Sequence, residues 1–299
     1  MEKLLFNLSE DLVTYPIFSH NSGSKDYVGK SYDLKNDIVV RVHSPKSANA
    51  VSHSILNDFD RMVYFAILVI SKELNSWNIT TCYEEILDLI DKKNTANQRR
   101  RVKDSIARLL ATKVEIIKID QKTKEPEKKY KVIQTIQFLD TKSEHSSPNH
   151  TFSNKITYPG KFTKGFNTIQ PEQFLKIGIH KFEKRVITFD LNDILALQDR
   201  LFQRLFMFLY SRKCYSNQNF LNINLKLFAN TLPLASSSQS ITHSNKKIQK
   251  GLELMKKIGL VQDYIFIPAQ SLTISRYVIT LNRQFLPDLN RIKEAMKCK

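Results

Sequence analysis

Glycine and proline are scarce in this 299-residue chain, seven and nine residues respectively, which excludes a collagen-like or loop-dominated polymer. The three cysteines, Cys82, Cys214 and Cys298, are odd in number and far apart. They suit neither a disulfide framework nor a zinc knuckle, and read as ordinary thiols. No apolar run approaches the roughly 20 residues that span a bilayer; the longest candidate is Met62 to Ile70. The opening MEKLLFNLSEDL carries Glu2, Glu10 and Asp11 without a small-residue cleavage site. It does not read as a signal peptide, so a cytoplasmic protein with no membrane partner is expected.

Chemistry-bearing patterns are equally sparse. The seven histidines, at 20, 43, 53, 145, 150, 180 and 243, lack metal-ligand spacing and include no His-x-His pair, so neither metal nor cofactor is expected. Gly23 to Ser31 imitates a phosphate-binding loop, but it has five residues between its glycines where the phosphate cradle requires four. Asp58/Asp60 and Glu84/Glu85 stand at helix starts, where capping and the helix dipole explain them. No catalytic residue emerges, and the expectation is a protein that is not an enzyme.

What the chain has in excess is positive charge, a formal +17 from 46 Lys/Arg against 29 Asp/Glu. The excess is uneven: residues 1–155 hold 24 basic and 20 acidic residues, residues 156–299 hold 22 and 9. The C-terminal half is therefore the better candidate to hold a polyanion. Hydrophobic content of 41% is enough for two ordinary cores.

One arrangement occurs twice, around residues 58–139 and 192–282: helix, short polar strand, second helix, basic third helix, strand hairpin. This order predicts an α+β protein of two tandem winged-helix domains, a helix-turn-helix variant, behind an N-terminal arm. The expected boundaries are 1–50 for the arm, with short strands such as Asp37-Ile-Val-Val-Arg-Val42, then 51–185 and 186–299. A long loop insertion at 141–164 falls in the first domain.

In the first unit a helix runs from Asn57 or Asp58 to Leu74, with Phe59, Met62, Val63, Ala66, Val69 and Ile70 at three-and-four spacing. Thr81 can cap a helix from Cys82 to Asp91. After Lys92-Lys93-Asn94-Thr95 the third helix spans Ala96 to Thr112, followed by strands 114–119 and 130–139 around a basic turn. Phe166–Gln170 reads as a strand, and Pro171 opens a short helix to Ile177. In the second unit helices are expected at 191–210, 226–232 and 242–258, the last stopped by Gly259. Strands fall at 220–225, 260–267 and 272–281, and a short helix at 286–296.

The third helices carry the candidate site. In the second unit Ile248, Gly251, Leu252, Met255 and Ile258 share one face. Lys246, Gln249, Lys250, Glu253 and Lys257 share the other. The first turns present Thr242, His243, Ser244, Asn245, Lys246, Lys247, Gln249 and Lys250, mixing phosphate clamps with amides that can pair bidentately with adenine. In the first unit Arg99, Arg100 and Arg101 open the third helix, Arg108 lies on its outer face, and Lys128 and Lys129 sit at the wing tip. An arginine run at a helix N-terminus opposes the dipole, and a bound phosphate would resolve that conflict. A merely solvated basic face is the competing account in both units, and the first unit alternatively supports a dimer interface.

With both units placed, the chain resembles the plasmid replication initiator protein A family, of the tandem winged-helix type. The residues that carry the resemblance are Tyr15-Pro-Ile-Phe18, DFDRMVYFAILVISKE, NQRRRVKDSIARLLATKVEI, PEQFLKIGIHKFEKRVITFDL, LQDRLFQRLFMFLYSRK and KKIQKGLELMKKIGLV. They cover about residues 15 to 282, and the insertion at 141–164 departs from the pattern. The resemblance implies monomers that bind repeated origin sites on double-stranded DNA, a homodimer as the repressing form, and recruitment of a host helicase and initiator. A transcriptional regulator of the same architecture, binding a palindromic operator as a dimer, is the alternative.

Overall fold

The computed structural model describes residues 2–14, 17–18, 30–35, 38–43, 56–119, 130–140, 174–180, 185–232, 234, 238–269 and 274–297. Helices and antiparallel strands mix throughout, an α+β architecture.

The first half is built around α2 (Asp58–Glu73), in which every residue from Val63 to Ile70 is buried. A helix enclosed on all sides needs an apolar run of this kind. Its start is fixed by a capping box: the Asn57 side chain accepts from Asp60 N, and the Asp60 carboxylate accepts from Asn57 N at 2.8 Å. Next come β4 (Asn78–Cys82), α3 (Tyr83–Leu89) and α4 (Ala96–Ala111), the last capped by Thr95. The predicted Thr81 cap is not made. Cys82 occupies the cap position without a side-chain bond, and the Thr81 hydroxyl donates to Glu85 at 2.6 Å.

β5 (Lys113–Ile119) and β6 (Tyr130–Gln137) form the expected antiparallel hairpin, with a bulge between Ile116 and Ile117. The arm extends it: β2 (Lys30–Lys35) and β3 (Ile38–His43) complete a sheet of order β2-β3-β5-β6. β7 (Leu139–Asp140) and β8 (Phe174–Ile179) join β4 in the order β4-β8-β7. The helix expected over 171–177 is thus corrected to a strand from Phe174, because Phe174 to Gly178 pair with β4 nearly a hundred positions earlier. The strand expected at 166–170, the wing turn and the insertion lie outside the described residues.

The arm also reaches the second half. β1 (Leu5–Ser9) pairs antiparallel with β9 (Val186–Asp190), and α1 (Glu10–Thr14) packs on the helix Arg200–Tyr215. The single helix expected over 191–210 is two, α5 (Leu191–Ala196) and α6 (Arg200–Tyr215). Gln198 turns the chain at φ 53°, and Asp199 caps α6 by accepting from Leu201 N at 2.8 Å. Further on lie β10 (Phe220–Asn224), α7 (Leu225–Thr231), α8 (Ser238–Lys257), β11 (Val261–Ile267), β12 (Arg276–Leu281) and α9 (Leu289–Lys297). The sheet order is β10-β12-β11. Gly259 ends α8 at φ +86°, a conformation that favours glycine.

The halves share one continuous apolar core. A polar joint crosses it: Asp58 on α2 faces Arg204 on α6 at 3.1 Å, and Arg61 donates to Gln203 at 2.6 Å.

Candidate nucleic-acid interface

The amphipathic period of α8 sets the geometry of the second unit's surface. Ser244, Ile248, Gly251, Leu252, Met255 and Ile258 are buried. A Cβ on Gly251 would stand 2.6 Å from Leu205 Cδ2, so glycine here lets α8 approach α6 closely. The opposite face exposes Thr242, His243, Lys246, Lys247 and Lys250. Among the described residues no carboxylate pairs with these three lysines. The nearby acids are engaged further along the helix. Glu253 accepts from the Tyr264 hydroxyl at 2.7 Å, and Asp263 pairs with Lys256 at 2.8 Å. Partial burial and the Glu253 contact together push the Tyr264 hydroxyl up to about 12. Positive charge therefore concentrates without local neutralisation on the middle turns of α8.

Three residues assigned to this surface from sequence are placed otherwise. Ser244 is 2% exposed, because it lies one turn before Ile248 on the inward face. Asn245 is half-buried, and its Oδ1 accepts from the Tyr277 hydroxyl of β12. Gln249 is also only half-exposed. In addition, α8 begins at Ser238, so residues 242–250 occupy its second to fourth turns and not its N-terminal turn. Their contacts with an anion would rest on side-chain charge and not on free backbone N–H groups.

In the first unit the outer face of α4 exposes Arg99, Arg100 and Lys103, and Lys92 and Lys93 stand exposed in the preceding turn. The two turn lysines and Lys103, like exposed Lys226 on α7, lie outside the residues that the sequence pattern picks out. Arg101 is exposed but held: its guanidinium sits 4.2 Å from the Phe59 ring centroid and donates to Gln98 at 3.1 Å. Arg108 does not belong to the surface. Its side chain is 11% exposed and pairs with Asp60, whose side chain is fully buried, at 2.6 Å. Lys128 and Lys129 lie outside the described residues.

The second hairpin differs in character from the basic turn of the first. Over its described residues Arg276 is the only Lys or Arg, and Ile265 and Ile274 are exposed.

Neither a protein-family model nor a curated protein matches the chain. Among solved structures it is similar to the crystal structure of domains 2 and 3 of RctB, at 13% identity, over 92% of this chain and 98% of that one, with a TM-score of 0.49. A second structure, of RctB domains 2-3 (RctB-155-483), is similar at 14% identity over 92% and 97% of the two chains, with a TM-score of 0.43. At TM-scores below 0.5, the function has to be read from the chain's own surface.

Among the described residues no group of three or more His, Cys, Asp or Glu side chains could hold a metal ion. No described helix is long and apolar enough to cross a membrane. A cavity of about 560 Å³ between α1, α6 and β10 mixes Glu10, Asp11 and Arg212 with Phe208 and Leu227. Its charges are partly paired with one another, Arg212 standing 3.5 Å from Glu10.

Proposed function

We propose that this chain is a non-enzymatic, sequence-specific double-stranded DNA-binding protein, and that it initiates plasmid replication by binding repeated origin sites and promoting local melting. The observation that carries the reading is the outer face of α8, where Lys246, Lys247 and Lys250 are exposed and unpaired among the described residues while the inner face is sealed into the core. Phosphate neutralisation supplies most of the affinity of such a surface, and a helix with an apolar back can be presented to a major groove as a rigid rod.

Each half is read as a winged helix. The order α2-β4-α3-α4-β5-β6 in the first half matches α6-β10-α7-α8-β11-β12 in the second. In both, the third helix is the basic one and an antiparallel hairpin follows it. The second unit is the main reader, with Thr242 and His243 beside the three lysines. The first adds contacts through Arg99, Arg100 and the lysines at 92, 93 and 103, or supports a homodimer. The plasmid-initiator reading, with a host helicase as partner, rests on the family resemblance of the sequence.

Selection of binding sites from a random duplex pool, at near-physiological salt, tests this. An enriched motif that recurs as tandem copies beside the gene is the expected result. An enriched palindrome would replace initiation with transcriptional regulation, and tight binding without enrichment would remove sequence specificity.

A further inference from the structure

The second hairpin holds the basic helix through one hydrogen bond that bears on what the helix can read. Tyr277 lies on β12, the central strand of its sheet, paired with Ile223 of β10 and Phe266 of β11. It is fully buried, and its ring packs against Phe266, Phe228 and Tyr264 at centroid distances of 5.0, 6.0 and 6.2 Å. The hydroxyl therefore stands at a fixed place beneath α8. Burial, with Tyr264 nearby, raises it above the ordinary phenol range, so it keeps its proton and acts as a donor. Its acceptor is Asn245 Oδ1, and among the described residues it has no other.

That bond fixes which way the Asn245 amide faces. Turned over, the amide would donate to the phenol oxygen and leave the buried O–H without an acceptor. Oδ1 is thus directed into the fold. Nδ2 has no partner among the described residues and is reached by solvent. The side chain stands beside Thr242, one turn earlier, and Lys246, both exposed. At this point α8 presents two N–H donors and no acceptor. Gln249, one turn further on, is half-exposed without a partner among the described residues, so its amide is not restrained in this way.

Bidentate pairing with adenine needs both ends of an amide, an acceptor for the N6 amino group and a donor for N7. Asn245 has lost the first of these to Tyr277. Guanine shows two adjacent acceptors, N7 and O6, on its major-groove edge and no donor.

We propose that Asn245 is a specificity-determining residue that recognises the acceptor edge of a guanine, and that Tyr277 is the positioning residue that holds its amide donor-outward. This rests on the reading of α8 as the helix that contacts DNA, and adds to that reading a base.

Binding of the full chain and two variants to duplexes varied one base pair at a time across the selected site tests it. Asn245→Asp keeps an acceptor for Tyr277 and removes both donors; Tyr277→Phe keeps the ring and removes only the hydroxyl. The unaltered protein should favour guanine over adenine by about tenfold or more at one position. Asn245→Asp weakens binding overall through its charge, but should abolish that preference while the order of preference at other positions stays as it was. Tyr277→Phe should narrow the guanine-to-adenine ratio at the same position, because the freed amide can turn over and offer its oxygen to adenine. A loss spread evenly over all positions, or an affected position that selects adenine in the unaltered protein, would overturn the proposal. A guanine preference that survives Asn245→Asp, or a Tyr277→Phe profile identical to that of the unaltered protein, would refute this inference and leave the DNA-binding reading standing. No preferred sequence in the unaltered protein would remove both. If Tyr277→Phe does not fold, the Asn245→Asp profile decides.

Discussion

Arg108 on α4 grips Asp60 on α2 through two nitrogens, Nε at 3.0 Å and Nη2 at 2.6 Å. The same carboxylate closes the capping box of α2, so one buried acid fastens the start of one helix and the side of another. Arg108→Ala would leave that carboxylate uncompensated. A loss of about 3–5 kcal/mol is expected from denaturant unfolding, with Arg108→Lys recovering part of it. A variant that unfolds like the unaltered protein but binds DNA poorly would return Arg108 to the DNA-binding surface.

Asp193 on α5 gives stability a pH dependence. Burial, reinforced by Asp190, raises its carboxyl to about 6. The folded state then holds a proton that the unfolded chain releases near pH 4. This contribution is fully present below pH 4 and is lost as pH rises through 6. The expected loss across that window is roughly 2–3 kcal/mol. Asp193→Asn should flatten the slope between pH 4 and 6, measured as unfolding midpoint against pH. An unchanged slope would mean that Asp193 is not the group responsible.

Gly259 closes α8 in the left-handed region, and a Cβ there would meet the Arg291 guanidinium at 2.6 Å. Since that arginine is exposed and can move aside, backbone strain sets the effect. Gly259→Ala should cost about 1–2 kcal/mol. Thermal unfolding reads it, and a neutral substitution would contradict the assigned conformation.

Much of this architecture was legible because it is local. The three-and-four spacing of Ile248, Leu252, Met255 and Ile258 marks the buried face of α8, and Asn57 before an apolar run marks the start of α2. The misplaced elements depend on distant partners. Phe174-Leu-Lys-Ile177 reads as the end of a short helix opened by Pro171 until β4 supplies an edge to pair with. β1 finds β9 across most of the chain. The site shows the same division. Lys246 and Lys250 follow from helical phase, and the same period carried back one turn from Ile248 places Ser244 on the inward face. Arg108 could not be withdrawn from the surface by sequence alone, because Asp60 belongs to another helix.

The two basic helices should contribute unequally. Arg99→Ala with Arg100→Ala removes exposed charge from the half with little net charge. Affinity for the selected site, measured by fluorescence anisotropy, should fall by about tenfold or less, and self-association is the second readout. A larger loss than that caused by the α8 lysines would make the first unit the principal reader.

The most direct test of the central claim is the binding of Lys246→Ala with Lys250→Ala to the selected duplex across a salt series. Both side chains are exposed and unpaired among the described residues, so unfolding stability should change by no more than about 0.5 kcal/mol. Affinity should drop by roughly two orders of magnitude, and the slope of log K against log salt should shrink by about 2. A folded double variant that binds the site with unaltered affinity and slope would show that α8 does not hold the DNA.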